Sequence, residues 1–436
     1  MRQPQPPPKP PPLESLYRVL AADIEVEPGG RYRHWDTLRR RKPPEGLTSE
    51  EWWYGVRMAR TLPSRGLPLV GVDGAPFTFT LTDEVHRYLH RIDRDASGQI
   101  TVTDPVLNPE GSRRYLVSSL IEEAITSSQL EGANTTRRVA KEMLRTARRP
   151  RDKGEQMILN NYAGMELVRR HRDDPLTPEL VLAFHEVIVR DTLDPEHAGR
   201  LQQPGEARVL VSDMEGGVLH QPPPADQLPE RLAAMCDFAN GVSSTSGFMH
   251  PVVRSILLHF WLAYDHPFLD GNGRTARLLF YWSMLRQRYW LTEYLSISRI
   301  LRAAPARYGR AFLYTETDGN DTTYFVLHQL DVICRALDDL QDYLRVKMAE
   351  IRRAERLIRG SRTFNYRQLA LLSHGLRHPD AVYSFASHAA SHKVTHESAR
   401  HDLLDLEGRG LVDRRKLGRK FTFAPASNLE ERLAAT

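Results

Sequence analysis

The chain has 436 residues, of which 41% are hydrophobic and 26% are charged, so it is long enough for two or three globular domains with ordinary cores. Two cysteines, Cys236 and Cys334, offer neither a disulfide framework nor a metal cluster and favour a reducing compartment. The start of the chain has no apolar signal segment, and no apolar run approaches the roughly 20 residues of a membrane span, so we expect a cytoplasmic protein without a membrane partner.

The first 110 residues divide into a tail and a small mixed segment. Residues 4–12 are almost all proline, which predicts a largely disordered tail over residues 1–30. Residues 31–110 combine a helical stretch at 49–62, a strand-like run at 77–81 and a second helix starting near Thr82. We interpret them as an N-terminal segment that packs on a helical body.

Residues 111–355 form the predicted main domain, because apolar residues recur there at three- and four-residue spacing. One helix is predicted over residues 115–130, with Gly132 as its C-cap residue. Glu131 then lies where the helix dipole is negative, which is unfavourable unless a cation compensates it. The sequence therefore favours an arginine partner for Glu131. The alternative is an exposed glutamate that tolerates a cost of about a few tenths of a kcal/mol.

Helical spacing breaks between residues 199 and 224, where glycine and proline bound a short β-branched centre at residues 208–212. This pattern predicts a small hairpin that contains Val209, Leu210 and Val211.

Residues 266–277 read HPFLDGNGRTAR and lie between two apolar helical stretches. Gly271 and Gly273 flank Asn272 before the second helix, so backbone N–H groups can turn toward an anion without a Cβ in the way. Arg274 and Arg277 are three residues apart in the first helical turn, where they can grip neighbouring phosphate groups. The run therefore predicts a phosphate-binding connection between two helices.

Two further residues of this run suggest chemistry. Asp270 stands among positive charges, and Mg²⁺ bridging one carboxylate and a polyphosphate would explain it. His266 can accept a proton from an attacking hydroxyl at neutral pH if its imidazole is neutral. The alternative is a glycine-rich helix connection with a solvated charge cluster and no catalytic role.

Residues 363–425 predict a C-terminal winged helix-turn-helix: helices at 366–372 and 395–407, then a hairpin at 411–423 with Gly418 at its turn. The second helix carries exposed His396, Ser398, Arg400 and His401. Five cations lie on the hairpin, which can contact DNA phosphates: Arg414, Arg415, Lys416, Arg419 and Lys420. The alternative is a protein-interaction module, including one that forms a homodimer, because Asp402, Asp405 and Glu407 share the helix.

The run at 266–277 resembles the Fic signature HPFx[D/E]GNGRxxR at every specified position. The resemblance implies a mainly α fold, a Fic-type helical bundle with a small β-hairpin flap. It also implies an enzyme that binds ATP with Mg²⁺ and transfers AMP to a Ser, Thr or Tyr hydroxyl of a target protein. By position, His266 would be the base, Asp270 the metal ligand, Asn272 with the backbone of Gly271 and Gly273 the phosphate cradle, and Arg274 and Arg277 the residues that hold the outer phosphates.

A second motif resembles the inhibitory sequence [S/T]xxxE[G/N] of Fic proteins, because residues 127–132 read SSQLEG. The resemblance implies that Glu131 forms a bidentate pair with Arg277 and occupies donors that the γ-phosphate needs. It also implies that the hairpin at Val209, Leu210 and Val211 clamps the target by strand addition, although a plain surface hairpin is equally compatible with the pattern.

Two alternative functions remain open from the sequence. The same fold could remove AMP or transfer another phosphate-linked group. The chain could instead be a DNA-binding regulator in which the Fic-like domain senses a nucleotide.

Overall fold

The computed structural model describes residues 3–97, 109–146, 148–212, 216–242, 247–360, 363–378, 381–417 and 420–435. The chain divides into two compact units, one of residues 1–98 with 119–337 and one of residues 99–118 with 338–436. Within the described residues, β-structure is limited to three two-stranded antiparallel sheets and two isolated bridges. The prediction of a mainly α fold is confirmed.

Capping residues set where two helices of the N-terminal segment begin. Thr48 starts helix α3 with a capping box, in which its hydroxyl accepts from the Glu51 N–H at 3.2 Å. Thr82 starts helix α4 by accepting from the Val85 N–H at 3.2 Å. The sequence pattern predicts α3, β2 and α4 but not β1, which contains a glycine and a proline. The elements are α1 Leu13–Ala21, α2 Trp35–Leu38, α3 Ser49–Thr61, β1 Ser64–Val70, β2 Pro76–Thr80 and α4 Asp83–Ile92.

Helix α1 lies inside the stretch for which the proline-rich composition predicts a largely disordered tail. Residues 3–12 before it have no regular secondary structure. Val19 of α1 is buried, and α1 packs on α3, where Gly55 allows the close approach of Val19 and Ile24. Burial of Ser15 and Val19 stabilises a helix that the neighbouring prolines obscure in the sequence, although Leu13, Tyr17 and Leu20 are exposed.

Ten helices and one hairpin follow in the described residues, and α10 and α11 lie at their centre. These two helices pack against each other, and α11 also packs against α7 and α8. Nearly every side chain of α10 and α11 is buried, including Arg274 and Arg277, so both helices are enclosed on all sides by the domain. The bounds are α5 Pro109–Leu130, α6 Arg137–Thr146, α7 Lys153–Arg170, α8 Pro178–Val189, α9 Leu228–Asn240, α10 Pro251–Asp265, α11 Asn272–Arg286, α12 Ile297–Ala303, α13 Pro305–Thr317 and α14 Thr323–Gly360.

The predicted hairpin is present but is displaced toward the C-terminus. Strand β3 covers only Val211–Ser212 and pairs with β4 Val218–His220. Val209 and Leu210 therefore precede the strand instead of belonging to it. Val209 and Leu210 do not pair with β4, because Arg208 binds the backbone carbonyls of Asp265 and His266 and holds this part of the chain beside them.

The C-terminal module contains α15 Tyr366–Arg377, α16 Phe385–His392, α17 His396–Gly408, β5 Val412–Leu417, β6 Lys420–Pro425 and α18 Leu429–Ala435. The helices and the hairpin that the sequence predicts are present as α15, α17 and β5–β6, and the module also contains α16 and α18. Gly418 and Arg419 lie outside the described residues. Asp402 does not face solvent: it is buried and accepts hydrogen bonds from Arg367 Nε at 2.6 Å and Asn365 Nδ2 at 2.7 Å.

Among the described residues, no helix combines the length and the apolar character that crossing a bilayer requires.

Candidate functional site

His266 lies at the junction between α10 and the following loop. Its backbone adopts a left-handed conformation, with φ of 45°, and its N–H donates to the Leu262 carbonyl at 3.0 Å. Such a conformation is uncommon for a residue other than glycine, and here it turns the chain sharply out of the helix. Burial, with the nearby His220 and Arg208, lowers the pKa of His266 to about 4. The imidazole is therefore neutral at physiological pH, as a proton acceptor must be.

The loop between His266 and α11 is held in shape by Asn272. Its Oδ1 accepts from the Phe268 N–H at 2.9 Å, and its Nδ2 donates to the Phe268 carbonyl at 2.8 Å. Gly271 has a φ of 84°, and a Cβ there would lie 2.8 Å from Val189 Cγ1. The Asn272 side chain is thus engaged within the loop, and any contribution of Asn272 to an anion cradle must come from its backbone.

His185 of α8 supports the same loop, and the sequence gives no sign of this role. Its Nδ1 accepts from the Gly199 N–H at 3.1 Å, so Nε2 carries the proton and donates to the Asp270 carbonyl at 2.9 Å. The ring also stacks on Phe268 with centroids 3.7 Å apart. A separation of 85 residues along the chain hides this contact from any local motif.

Asp270 and Arg274 contact each other inside the loop. Asp270 Oδ1 accepts from the Gly271 N–H at 2.5 Å and from Arg274 Nη2 at 3.2 Å. The Arg274 side chain is fully buried, and its Nη1 donates to the Ile188 carbonyl at 3.0 Å. Arg274 therefore braces the loop against α8, while its buried Nε has no hydrogen-bond partner among the described residues.

Glu131 and Arg277 meet as the sequence predicts, although the pair differs in detail. Helix α5 ends at Leu130, and Gly132 adopts the left-handed conformation of a C-cap residue. Arg277 Nη2 donates to Glu131 Oε1 at 2.8 Å. The predicted bidentate geometry is wrong, because the remaining Arg277 bonds go to Ser127: Nε to Oγ at 2.9 Å and Nη2 to the carbonyl oxygen at 3.1 Å. Arg277 Nη1 is buried without a hydrogen-bond partner among the described residues.

Gly273 lies directly beneath the Glu131 carboxylate. A Cβ at Gly273 would be 3.0 Å from Glu131 Cδ and 3.2 Å from Arg277 Nη1. The carboxylate thus covers the backbone at the start of α11, where the N–H groups of a helix attract anions. The position that the sequence assigns to an anion is occupied by a negatively charged side chain of the same chain.

The segment before β3 lies beside His266. The Val209 backbone approaches the imidazole closely enough to oppose the lowering of its pKa, and His266 Nδ1 is shielded from solvent. Arg208 anchors the segment by donating from Nη2 to the carbonyls of Asp265 at 2.7 Å and His266 at 3.2 Å. Leu210 is 44% exposed and Val211 is half-buried, so this edge remains partly open to solvent. The Arg208 contacts are not apparent from sequence.

Asp270 suits a single-carboxylate metal site. Its Oδ1 is engaged by Gly271 and Arg274, whereas Oδ2 has no hydrogen-bond partner among the described residues and the side chain is 42% exposed. The structure brings together no group of three or more His, Cys, Asp or Glu side chains with metal-site geometry in the described part of the chain. One carboxylate agrees with Mg²⁺ that binds mainly through substrate phosphates and water.

The helical domain, with a neutral histidine after one helix and a glycine–arginine loop opening the next, defines a class of protein that handles phosphate groups. Residues 175–284 match the model of the Fic/DOC family. The resemblance to the Fic family that the sequence motif predicts is therefore confirmed for this part of the chain.

Three relatives are named protein adenylyltransferases. The protein adenylyltransferase Fic of Nematostella vectensis is 32% identical over 118 residues, covering 27% of this chain and 24% of that protein. The protein of the same name from Drosophila willistoni is 31% identical over 135 residues, covering 30% and 25%. Protein adenylyltransferase fic-1 of Caenorhabditis briggsae is 31% identical over 140 residues, with the same coverage. The chain thus spans about a quarter of the length of these relatives.

A crystal structure of a Fic family protein from Desulfovibrio desulfuricans shares the fold. It has a TM-score of 0.52 and 20% sequence identity, and the likeness covers 80% of this chain and 98% of that one. At this identity the similarity concerns the fold alone.

Proposed function

We propose that this protein is an autoinhibited protein adenylyltransferase, which transfers AMP from Mg·ATP to a Ser, Thr or Tyr hydroxyl of a target protein. The observation that carries the proposal is the meeting of Glu131 with Arg277 above Gly273, beside a neutral His266. The names of the relatives that match the Fic domain support AMP transfer as the reaction class.

His266 would act as the general base. Because Nδ1 is shielded, Nε2 is the nitrogen that accepts the proton of the target hydroxyl. The hydroxyl oxygen then forms a bond to the α-phosphorus, the bond from that phosphorus to the oxygen bridging the α- and β-phosphates breaks, and pyrophosphate leaves. The backbone from Gly271 to Gly273 and the Arg277 guanidinium would hold the phosphates, and Asp270 would bind Mg²⁺, which neutralises phosphate charge when bound.

Glu131 would restrain this reaction by occupying Arg277. A guanidinium bonded to a carboxylate at 2.8 Å cannot give the same N–H to a phosphate, and the carboxylate repels phosphate oxygens from the Gly273 backbone. The unpartnered Nη1 of Arg277 is the donor that remains for a ligand. Removal of the Glu131 side chain should therefore release both the arginine and the start of α11.

The test compares label transfer from α-labelled ATP to protein in a cell lysate. Glu131→Gly should label protein far more strongly than the wild type, whereas Glu131→Gly/His266→Ala should label none. Parallel reactions with γ-labelled ATP should give no label above that of Glu131→Gly/His266→Ala, because the γ-phosphate leaves with pyrophosphate. Label from γ-labelled ATP alone would establish kinase-like transfer instead, and activity retained without His266 would refute the assigned base. Mass spectrometry of the labelled peptides would identify the target and the modified residue.

As a second proposal, we infer that the C-terminal module binds DNA. Exposed Arg415 and Lys416 on β5 support it, and the burial of Asp402 removes one negative charge from the exposed side of α17. Arg414 contributes less, because it forms an ion pair with Glu407 at 3.0 Å. Affinity for genomic DNA fragments should fall with salt, and it should fall further in Arg415→Glu/Lys416→Glu but not in His266→Ala.

A further inference from the structure

A basic cavity of about 550 Å³ lies outside the loop at residues 266–277, in the unit of residues 1–98 and 119–337. Its walls come from the segment around α2 and from α13 and α14. The described lining includes a single carboxylate, Glu84, and five arginines, Arg31, Arg33, Arg41, Arg307 and Arg310. We call this space the arginine cavity. Its volume lies in the range of ordinary small-molecule sites.

The lining of the arginine cavity carries five arginines and one carboxylate, so the lining itself balances only part of the positive charge. Glu84 already pairs with Arg31. Arg33 donates to the Pro28 carbonyl at 2.6 Å, and burial together with the charges of Arg41 and Arg31 lowers its pKa. Arg41, Arg307 and Arg310 form no ion pair within the part of the chain that the structure describes. Four of the five arginines are exposed, so solvent weakens their mutual repulsion, but the concentration of positive charge around one concave space would still attract a polyanion.

The arginines come from two elements that face each other across the cavity. Arg307, Arg310 and Tyr314 share one face of α13 because they are three and four residues apart. Arg33 and Arg41 lie on the opposite segment. The Tyr314 ring stacks on the buried His34, with centroids 4.3 Å apart and planes at 9°, which fixes the orientation of the tyrosine ring. The cavity thus offers guanidinium forks on two sides and an aromatic ring on its wall.

We propose that the arginine cavity binds a small molecule with two or more adjacent phosphate groups, such as a nucleoside diphosphate or inorganic pyrophosphate. Each guanidinium group can donate a pair of N–H groups to phosphate oxygens. A ligand with a single carboxylate has too few oxygens to accept from all of these donors. Tyr314 supplies a surface for a base when the ligand is a nucleotide. The site is separate from the loop at residues 266–277, since no residue of that loop lines it.

The experiment measures binding of inorganic pyrophosphate and of ADP to the full chain by calorimetry, in EDTA so that Mg²⁺-dependent binding at the catalytic loop is suppressed. Affinity should fall by about tenfold or more in Arg307→Ala/Arg310→Ala, because two charged donors are lost. The matched control is Arg138→Ala/Arg302→Ala, which removes two exposed arginines outside the cavity and should bind as the wild type does. Circular dichroism establishes that each variant is folded. Arg307→Lys/Arg310→Lys is the conservative variant, because it keeps the positive charge of both residues.

Comparing the two ligands distinguishes a nucleotide from inorganic pyrophosphate as the source of the phosphate groups. Binding of both compounds shows that phosphates suffice, and binding of ADP alone, lost in Tyr314→Ala, shows a nucleotide site; both results support the proposal. Equal affinity in the arginine variant and its matched control would overturn it. The proposal would also be overturned if neither compound bound to the wild type, even if RNA or a phosphopeptide did bind. Each outcome is independent of AMP transfer.

Discussion

Arg277 is the residue at which the inhibitory segment and the catalytic loop meet. It is 2% exposed, yet it carries a permanent charge, so its hydrogen bonds to Ser127 and Glu131 must offset the cost of removing a guanidinium from water. Glu131 is one-third exposed and can leave, whereas Ser127 is buried. This asymmetry suits a pair in which the arginine stays in place and the glutamate exchanges with a ligand.

Ser127→Ala should lower the free energy of unfolding by about 1.5–3 kcal/mol, because Arg277 Nε would lose its acceptor in a buried position. Urea denaturation of the full chain measures the change. Ser212→Ala, at an exposed serine, serves as the control and should alter stability little. A loss equal to that of the control would mean that Ser127 Oγ does not help to hold the charge of Arg277.

The pH dependence of AMP transfer follows from the pKa of His266. Because this pKa is lowered to about 4, the imidazole should remain neutral, and kcat/KM of Glu131→Gly should not decline with an apparent pKa near 6.5 as pH falls from 7 to 5. In the unfolded chain the same group takes up a proton near pH 6.5, so the folded state loses stability as pH falls from 6.5 toward 4. Circular dichroism at each pH separates unfolding from the titration of the base.

At the scale of elements, the site depends on how helices end. Helix α5 ends at a glycine that places Glu131 over the loop, α10 ends in the left-handed His266, and α11 begins at Asn272 after Gly271. The unpaired N–H groups at the start of α11 are the part of the fold best suited to anions. Asn272 keeps those groups aligned by closing the loop onto the Phe268 backbone.

Asn272→Ala should lower the free energy of unfolding by about 2 kcal/mol or more and abolish AMP transfer, because the buried N–H and carbonyl of Phe268 would both lose their partners. Thermal and urea unfolding, with label transfer in the Glu131→Gly background, measure the two effects. Asn272→Asp retains the acceptor but places a buried carboxylate oxygen against the Phe268 carbonyl, so it should also destabilise the chain. Unchanged stability in the alanine variant would show that the loop does not need this closure.

At the scale of the whole molecule, the chain consists of two compact units. The C-terminal module has its own apolar core, built from α15, α17, α18 and both strands of its hairpin. Phe423 joins the sheet to Tyr383 through two backbone hydrogen bonds, both at 2.8 Å. A module of this size with a continuous core is expected to fold alone.

A fragment of residues 363–436 should therefore unfold cooperatively when heated, as followed by far-ultraviolet circular dichroism. Leu403→Ala should destabilise it by about 2–5 kcal/mol, because Leu403 is fully buried in that core. The exposed control Val382→Ala should have a much smaller effect. A gradual transition in the wild-type fragment would indicate that the module needs the rest of the chain.

Local chemistry accounts for what the sequence predicts well. Helical periodicity and capping residues predicted α3, α4, α10 and α11, since these signals act within one or two turns. The strands are less well predicted by the sequence. Strand β1 contains residues that are atypical of strands, and β3 is shorter than the β-branched run that indicated it. Helix α1 depends on burial against α3, a contact that the proline-rich composition before it does not report.

By itself the sequence determined which candidate reactive groups lie close together, because His266, Asp270, the glycines and the two arginines belong to one continuous run, and it indicated that a cation would stabilise Glu131. Only the tertiary structure decided how those groups are used. It buries Arg274 against α8, gives part of Arg277 to Ser127, supports the loop with His185 and lowers the pKa of His266 through burial. These outcomes depend on desolvation and on contacts between residues far apart in the chain, neither of which a local pattern contains.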